Sequence, residues 1–324
     1  MTRRVLQRVL IVAGVALALC SALAHAQAYP ARPIRIIVLS SPASGPDIVG
    51  RLVGQRLMEV WGQQVVVDTR PGASGIIGAE IGAKAAPDGY TLIIVTAQAA
   101  IVSAMYAKLP FHLQRDFAPI STLATTPFVL AVHPALPATT LDELVTLAKQ
   151  RRGQLRYGSG GSGSPPHLSA EIFRSMTGIE LVHVPYKGVT PALTDTIAGQ
   201  VHMVFSVIPA ALASIRSGKV RALGITSATR SPLVPEVPAI AEAVPGYEFI
   251  GWYVLVAPAR TPPAILDALN AQVNGALKTP EFQERFMALG ADTVGSTRAD
   301  AAAFISTQME RMRQAVVASG AKPD

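Results

Sequence analysis

Leu155-Arg156-Tyr157-Gly158-Ser159-Gly160-Gly161-Ser162-Gly163-Ser164-Pro165-Pro166-His167-Leu168-Ser169-Ala170-Glu171-Ile172-Phe173 reads as a short strand, a glycine and serine turn, and a helix that opens at proline. The turn cannot bury apolar surface, but its amides can curl around an anion. Ser164 has the residue type of an N-cap and Pro165 that of a first helical residue, so free amides and the positive dipole end point the same way. A flexible linker between domains has a similar composition. Strand on one side and capped helix on the other favour a tight βα turn at the carboxyl end of a sheet strand. No Gly-Lys-Ser/Thr ending follows, and no serine is bracketed as in a nucleophile elbow.

The pattern recurs upstream. Ile34–Leu39 is expected as a buried strand and Pro46–Trp61 as a helix, with Ile48, Leu52, Val53, Leu57 and Val60 at helical spacing. The small-residue turn Ser40-Ser41-Pro42-Ala43-Ser44-Gly45-Pro46-Asp47 joins them. Gln64–Val67 is the next strand, followed by Arg70-Pro71-Gly72-Ala73-Ser74-Gly75 and a helix to about Ala85. Asp88-Gly89 then turns into a strand over Tyr90–Val95, with Thr96 at its end. Such βαβα alternation describes a doubly wound, mostly parallel sheet, in which ligands bind beyond the carboxyl ends of the strands.

Two long extended stretches, Ile120–Pro134 and Phe249–Pro258, suggest two chain passages between lobes. The expected division is lobe one over 29–126 plus 251–324 and lobe two over 127–250. Thr140-Leu141-Asp142-Glu143 reads as a capping box, and Thr190 as an N-cap with Pro191 as first helical residue. Four helices are thus expected to begin at proline just after a strand: Pro46, Pro165, Pro191 and Pro209. Thr261-Pro262, Thr279-Pro280 and Thr297 mark later helix starts, and Gly290 closes the middle one.

Met1–Ala26 has the form of a secretory signal: Arg3, Arg4 and Arg8 precede an apolar run from Val9 to Leu19, and Ala24-His25-Ala26 fits the cleavage rule. That run is shorter than the roughly 20 residues a membrane span needs. A lipidated Cys20 and a twin-arginine route remain alternatives. Cys20 is the only cysteine, so the mature chain has no disulfide and no thiolate ligand. Loss of the three arginines takes the formal charge from +7 to about +4. The cations are scattered, so nucleic acid is not implied, whereas a small anion is compatible.

Ser162, His167 and Asp195 are the best assembly for a serine hydrolase, but the glycine loop accounts for the first two without catalysis. The mature histidines show no zinc spacing, and neither a metal nor a cofactor is expected. His202 is expected inside an apolar strand, as a hydrogen-bonded interior histidine or a ligand contact. Lys187 is a turn lysine or a contact. Asp47 suits the first turn of a helix, or accepts a donor from the ligand. The candidate binding set is Ser44, Gly45, Asp47, Ser74, Gly75, Thr96, Ser159, Gly160, Gly161, Ser162, His167, Lys187 and Ser206.

The stretches Tyr29-Pro30 to Ile37, Arg70 to Gly75, Pro87-Asp88-Gly89-Tyr90-Thr91-Leu92, Tyr157-Gly158-Ser159 with Gly163-Ser164 and His167-Leu168, Val184-Pro185-Tyr186-Lys187-Gly188, and Gly218-Lys219-Val220-Arg221-Ala222-Leu223 span nearly the whole mature chain. Together they resemble the substrate-binding proteins of tripartite tricarboxylate transporters, the Bug family. The resemblance implies an α/β, two-lobed periplasmic binding protein fold of type II-like form, with two doubly wound, mostly parallel sheets joined by two crossing strands. It also implies a monomeric extracytoplasmic receptor, not an enzyme, that passes a small carboxylate to membrane transporter subunits. A solute carrier without its own transporter is the other binding alternative. Two departures from the family pattern matter. Pro46 removes an amide and a hydroxyl from the first loop, and Ser206 stands where an acid is usual, which disfavours an amine-bearing ligand. A plain, hydroxylated or aromatic carboxylate fits better.

Overall fold

The computed structural model describes residues 29–322; the expected leader, its cleavage point and Cys20 lie outside the described residues. β1 (Ile34–Val38) feeds α1 (Gly45–Trp61), and β2 (Val65–Thr69) feeds a 3-10 turn (Ala73–Gly75) and α2 (Ile76–Ala83). β3 (Thr91–Thr96) then feeds α3 (Ala97–Met105). The spacing of Val49, Leu52, Val53 and Leu57 gives α1 a buried stripe that packs on the β1 to β3 face. β4 (Phe117–Thr126) is separated from β5 (Phe128–Val132) by Pro127 alone.

The middle of the chain continues as α4 (Leu141–Gln150), β6 (Arg156–Ser159), α5 (Pro165–Thr177), β7 (Val182–Pro185), α6 (Val189–Ile197), β8 (Met203–Val207), α7 (Ile208–Arg216), β9 (Arg221–Ile225) and α8 (Ile240–Ala243). The return passage is β10 (Gly251–Pro258), and α9 (Pro263–Leu277), α10 (Pro280–Ala288), β11 (Asp292–Thr293) and α11 (Arg298–Ser319) follow.

The strands form two sheets, ordered β11-β4-β10-β3-β1-β2 and β7-β6-β8-β5-β9. β1 runs parallel to β2 and β3, and β6 parallel to β7 and β8. β10 lies antiparallel between β3 and β4, and β5 antiparallel between β8 and β9. Apart from the two-residue β11, the reversed strand in each sheet is one delivered by a passage from the other sheet. A strand entering that way arrives at the opposite end of the sheet from the βα units.

The passages lie side by side. Thr126 pairs with Gly251 in the first sheet while Phe128, two residues on, pairs with Val207 in the second. Phe249 donates its amide to Thr226, whose hydroxyl accepts from the Phe128 amide at 2.8 Å. A third connection has no counterpart among the sequence patterns. α11 packs on α3 and β4 of the first sheet and on α5 beside the second, where Arg174 donates to the Ser319 carbonyl at 2.6 Å and Ser175 to that of Ala318 at 3.0 Å. One apolar cluster accordingly runs through both sheets, from Ile37 and Val95 to Leu130, Phe205 and Met312.

Several helix starts differ from expectation. Only Pro165 of the four prolines is a first helical residue; α1 begins at Gly45 and α7 at Ile208. α6 begins at Val189 after Gly188, so Thr190 is not its N-cap and Pro191 is its third residue. The open φ of Gly188 (123°) lets the chain turn there, two residues before the threonine. α9 begins at Pro263 rather than Pro262. Thr140 caps the Glu143 amide, but the Glu143 carboxylate reaches past Thr140 to the amide and hydroxyl of Thr139.

Candidate functional site

β1, β2 and β3 are parallel, so their carboxyl ends share one edge of the first sheet; β6, β7 and β8 share an edge of the second. The loops leaving these two edges meet. Ser74 donates its hydroxyl to the Ser162 carbonyl at 3.3 Å, and Gly163 packs toward Val102 and Met105 of α3. Walled by Ser40, Pro46, Ser74, Thr96 and Gln98, a cavity of about 20 Å³ lies beside this contact, room for about one water. Two cavities of about 630 Å³ lie elsewhere, one along β9 and one between α5 and α11. Neither is lined by the βα loops that meet at Ser74 and Ser162, so volume does not identify the site.

On the first side, backbone strain marks the loops. Ala73 (φ 46°), Ser74 (φ 53°) and Ala43 (φ 59°) are left-handed without being glycine, a conformation costing on the order of 1 kcal/mol or more each. Ser74 and Gly75 (φ 89°) complete a left-handed run that aims the Ser74 hydroxyl at the second sheet. Ser44 stands at the N-cap of α1, but its hydroxyl bonds the Ser41 carbonyl at 2.6 Å and Ser40 Oγ at 2.7 Å instead of capping. Asp47 is turned inward and 2% exposed; it accepts the Ala43 amide at 2.8 Å and pairs with Arg51 at 3.1 Å. Thr96 is half-buried at the N-cap of α3.

The glycine loop of the second side is tied largely to itself. Ser164 caps α5 by accepting the His167 amide at 3.4 Å. The Gly161 amide donates to Ser159 Oγ, the Ser164 amide to the Gly161 carbonyl, and the Gly163 amide to His167 Nδ1. That last bond assigns Nδ1 as an acceptor, which leaves the proton of a neutral ring on Nε2. Fewer amides therefore face the cleft than loop composition suggests. The spacing Gly158-x-Gly160-x-x-Gly163 coincides by count with a dinucleotide fingerprint, yet the Gly163 amide is spent on His167 and that of the intervening Gly161 on Ser159. The rings of Tyr157, His183 and His167 stack beneath the loop, with His183 Nε2 and Ser159 Oγ at 2.6 Å.

Of the remaining candidates, Ser206 and Lys187 fall at the carboxyl ends of β8 and β7 beside the glycine loop, and His202 falls at the opposite end. Ser206 is buried near the end of β8 and donates to the Val207 carbonyl at 3.3 Å. Lys187 is exposed. His202 precedes β8 rather than lying within a strand, and its Nδ1 accepts the Arg156 amide at 2.9 Å, at the sheet end remote from these loops. Burial, with the neighbouring Arg156, holds its pKa below the ordinary histidine value. In the hydrolase assembly, Asp195 is engaged by the Tyr186 hydroxyl at 2.7 Å. Burial first, and then Asp195, push the Tyr186 phenol up to about 12. Among the described residues no helix is long and apolar enough to cross a membrane.

Residues 49–320 match the family described as tripartite tricarboxylate transporter family receptor. The Bordetella pertussis protein BugT is 37% identical over 322 residues, covering 97% of this chain and 98% of that one. Among solved structures, R. palustris Rpa4515 with adipate is 35% identical with a TM-score of 0.85, covering 92% of this chain and 100% of that one. MatC from Rhodopseudomonas palustris, with bound malate, is 29% identical with a TM-score of 0.80, covering 89% and 100%.

Proposed function

Since the chain belongs to the tripartite tricarboxylate transporter receptor family, we propose that it closes two lobes around a small carboxylate in the periplasm and delivers it to transporter subunits as a monomer. The observation that carries this reading is the meeting of two sets of βα loops, each at the carboxyl edge of its own sheet, through Ser74 and Ser162. Helix N-termini and hydroxyls converge there, and such groups stabilise a carboxylate without a partner cation. The adipate and malate of the two relatives are of the same chemistry.

The lobes are 29–126 plus 251–324 and 127–250, hinged where Thr126–Phe128 runs beside Phe249–Gly251. A cavity of about 20 Å³ is too small for a dicarboxylate, so the Ser74–Ser162 contact must part for entry. Inside the closed cleft the contacts are neutral: Ser74, once parted from Ser162, Thr96 and the first amides of α1 supply donors, while Asp47 is neutralised by Arg51. The protein binds without turning its ligand over.

Thermal denaturation against a panel of carboxylates and a panel of esters tests this. A rise in Tm with one or more carboxylates and no ester cleavage is expected. Ester cleavage lost on His167→Ala would replace the receptor reading with a hydrolase. Mass spectrometry of solute released on denaturing the purified protein would identify the natural ligand.

A further inference from the structure

Tyr253 carries a hydroxyl that its surroundings do not use. Its strand, β10, is central in the first sheet, and Tyr253 is the register partner of Thr96, the last residue of β3. The ring is therefore level with the edge from which the cleft loops depart. It packs in the cluster containing Val49 and Leu52, and the residue is 8% exposed. Yet Oη makes no hydrogen bond among the described residues, and it is not one of the unpaired atoms sealed from solvent. The hydroxyl is thus without a partner in the fold but reached by solvent, and a phenylalanine would fill the same apolar space, so the oxygen is left free to bond a bound molecule.

The hydroxyl points at the start of α1. A Cβ placed on Gly45 would lie 2.8 Å from Tyr253 Oη, so glycine at the first helical position is what admits the phenol. The first amides of α1 have no partner within the helix, and the neighbouring residue, Pro46, walls the small cavity in the cleft. Asp47 accepts the Ala43 amide and pairs with Arg51, and no hydrogen bond joins it to the phenol. Burial pushes the phenol up to about 12, which keeps the donor protonated around neutral pH.

We propose that Tyr253 is a ligand-binding residue, its hydroxyl donating to one carboxylate oxygen of the anion seated at the N-terminus of α1 beside Gly45. The inference rests on the receptor reading and names a group by which that cleft selects carboxylates. An O–H donor set against helix amides bonds an ionised carboxylate oxygen about twice as strongly as the neutral carbonyl of an ester or an amide of the same acid.

Calorimetry with a panel of mono- and dicarboxylates that includes adipate and malate, on the full mature chain, provides the test. Tyr253→Phe is expected to weaken the best binder by about tenfold or more, with the ligand-free Tm unchanged or raised. Gly45→Ala, which displaces the phenol, is expected to weaken it as well. The preference for the acid over its monoamide should shrink in Tyr253→Phe. If the wild-type chain binds a carboxylate and Tyr253→Phe binds it within twofold, the assignment is overturned while the receptor reading stands. If the wild-type chain binds no member of the panel, the receptor reading fails and the assignment falls with it.

Discussion

The Ser74 hydroxyl donates to the Ser162 carbonyl at 3.3 Å, 88 positions along the chain. This bond lies across the cleft, and the left-handed φ of Ser74 (53°) is what turns the hydroxyl outward from its own sheet.

Ser74→Ala is therefore expected to loosen closure more than it loosens the fold. A neutral hydrogen bond contributes about 0.5–1.5 kcal/mol, enough to move a closed-to-open ratio up to roughly tenfold. Small-angle scattering of the ligand-free variant should show a larger particle than the wild type, with the unfolding midpoint nearly unchanged. An identical scattering profile would show that the bond does not hold the cleft.

Gly161 has φ 101° and its amide donates to Ser159. Proline fits neither the angle nor the bond, so Gly161→Pro is expected to cost more than about 2 kcal/mol of ligand affinity by unwinding the loop. Lys187→Ala should leave affinity within a few-fold, and binding should change little between low and high salt. Calorimetry in which Lys187→Ala abolished binding and Gly161→Pro spared it would replace neutral donors with an ion pair.

Arg174 reaches Glu171 at 2.8 Å and the Ser319 carbonyl at 2.6 Å, while Tyr157 donates to the same Glu171 at 2.7 Å. Arg174→Ala leaves a nearly buried carboxylate with one donor and removes one of the two hydrogen bonds that tie α11 to α5. A loss of about 1–3 kcal/mol is expected, the guanidinium being partly exposed. Hydrogen exchange should rise over 313–319 before it rises in β4. Arg174→Lys should recover little, because a lysine cannot serve both partners in one plane. Unaltered exchange at the end of α11 would show that the tie is ornamental.

Asp68 lies between Arg35 and Arg70, with Arg35 Nε at 2.8 Å and Arg70 Nε at 3.0 Å. Burial alone would raise its pKa, but hydrogen bonds from Arg35 and then Arg70 outweigh it and hold the carboxyl below the usual range. A depressed folded pKa means stability that is present above the unfolded value, near 4, and lost as pH falls through the folded one. Asp68→Asn is expected to remove about 1 kcal/mol at neutral pH and to flatten the acid limb of the stability curve. If the wild type and Asp68→Asn lost stability in parallel below pH 4, the pairing would not be a source of acid sensitivity.

The βα units of the first sheet, the two passages and the capped start of α5 were legible because short apolar runs, small-residue turns and Ser-Pro caps act locally. The start of α6 was not, since a glycine's φ outweighed the Thr-Pro signal two residues later. Asp47 illustrates a different limit. Its place in the first turn of α1 followed from charge and dipole, but its engagement by Arg51 and the Ala43 amide depends on how the preceding loop folds back. Tyr253 left no local signal at all, because a tyrosine in an apolar strand reads as core. Only the register of β10 against β3 sets it level with Thr96 and Gly45, and that register depends on a pairing 157 positions apart.

β10 fills the middle of the six-stranded sheet although it is formed by residues 251–258. During synthesis β3 and β4 are complete long before their shared neighbour exists, and both wait with an unpaired edge facing where β10 will insert. Such edges invite pairing with the wrong chain. Loop closure over so long a separation also places this step late and makes it slow. A nascent chain halted between Ile225 and Gly251 carries a second sheet with all its strands but a first sheet interrupted between β3 and β4. The protein's hazard in the cell is thus one of timing: its central strand is among the last to arrive.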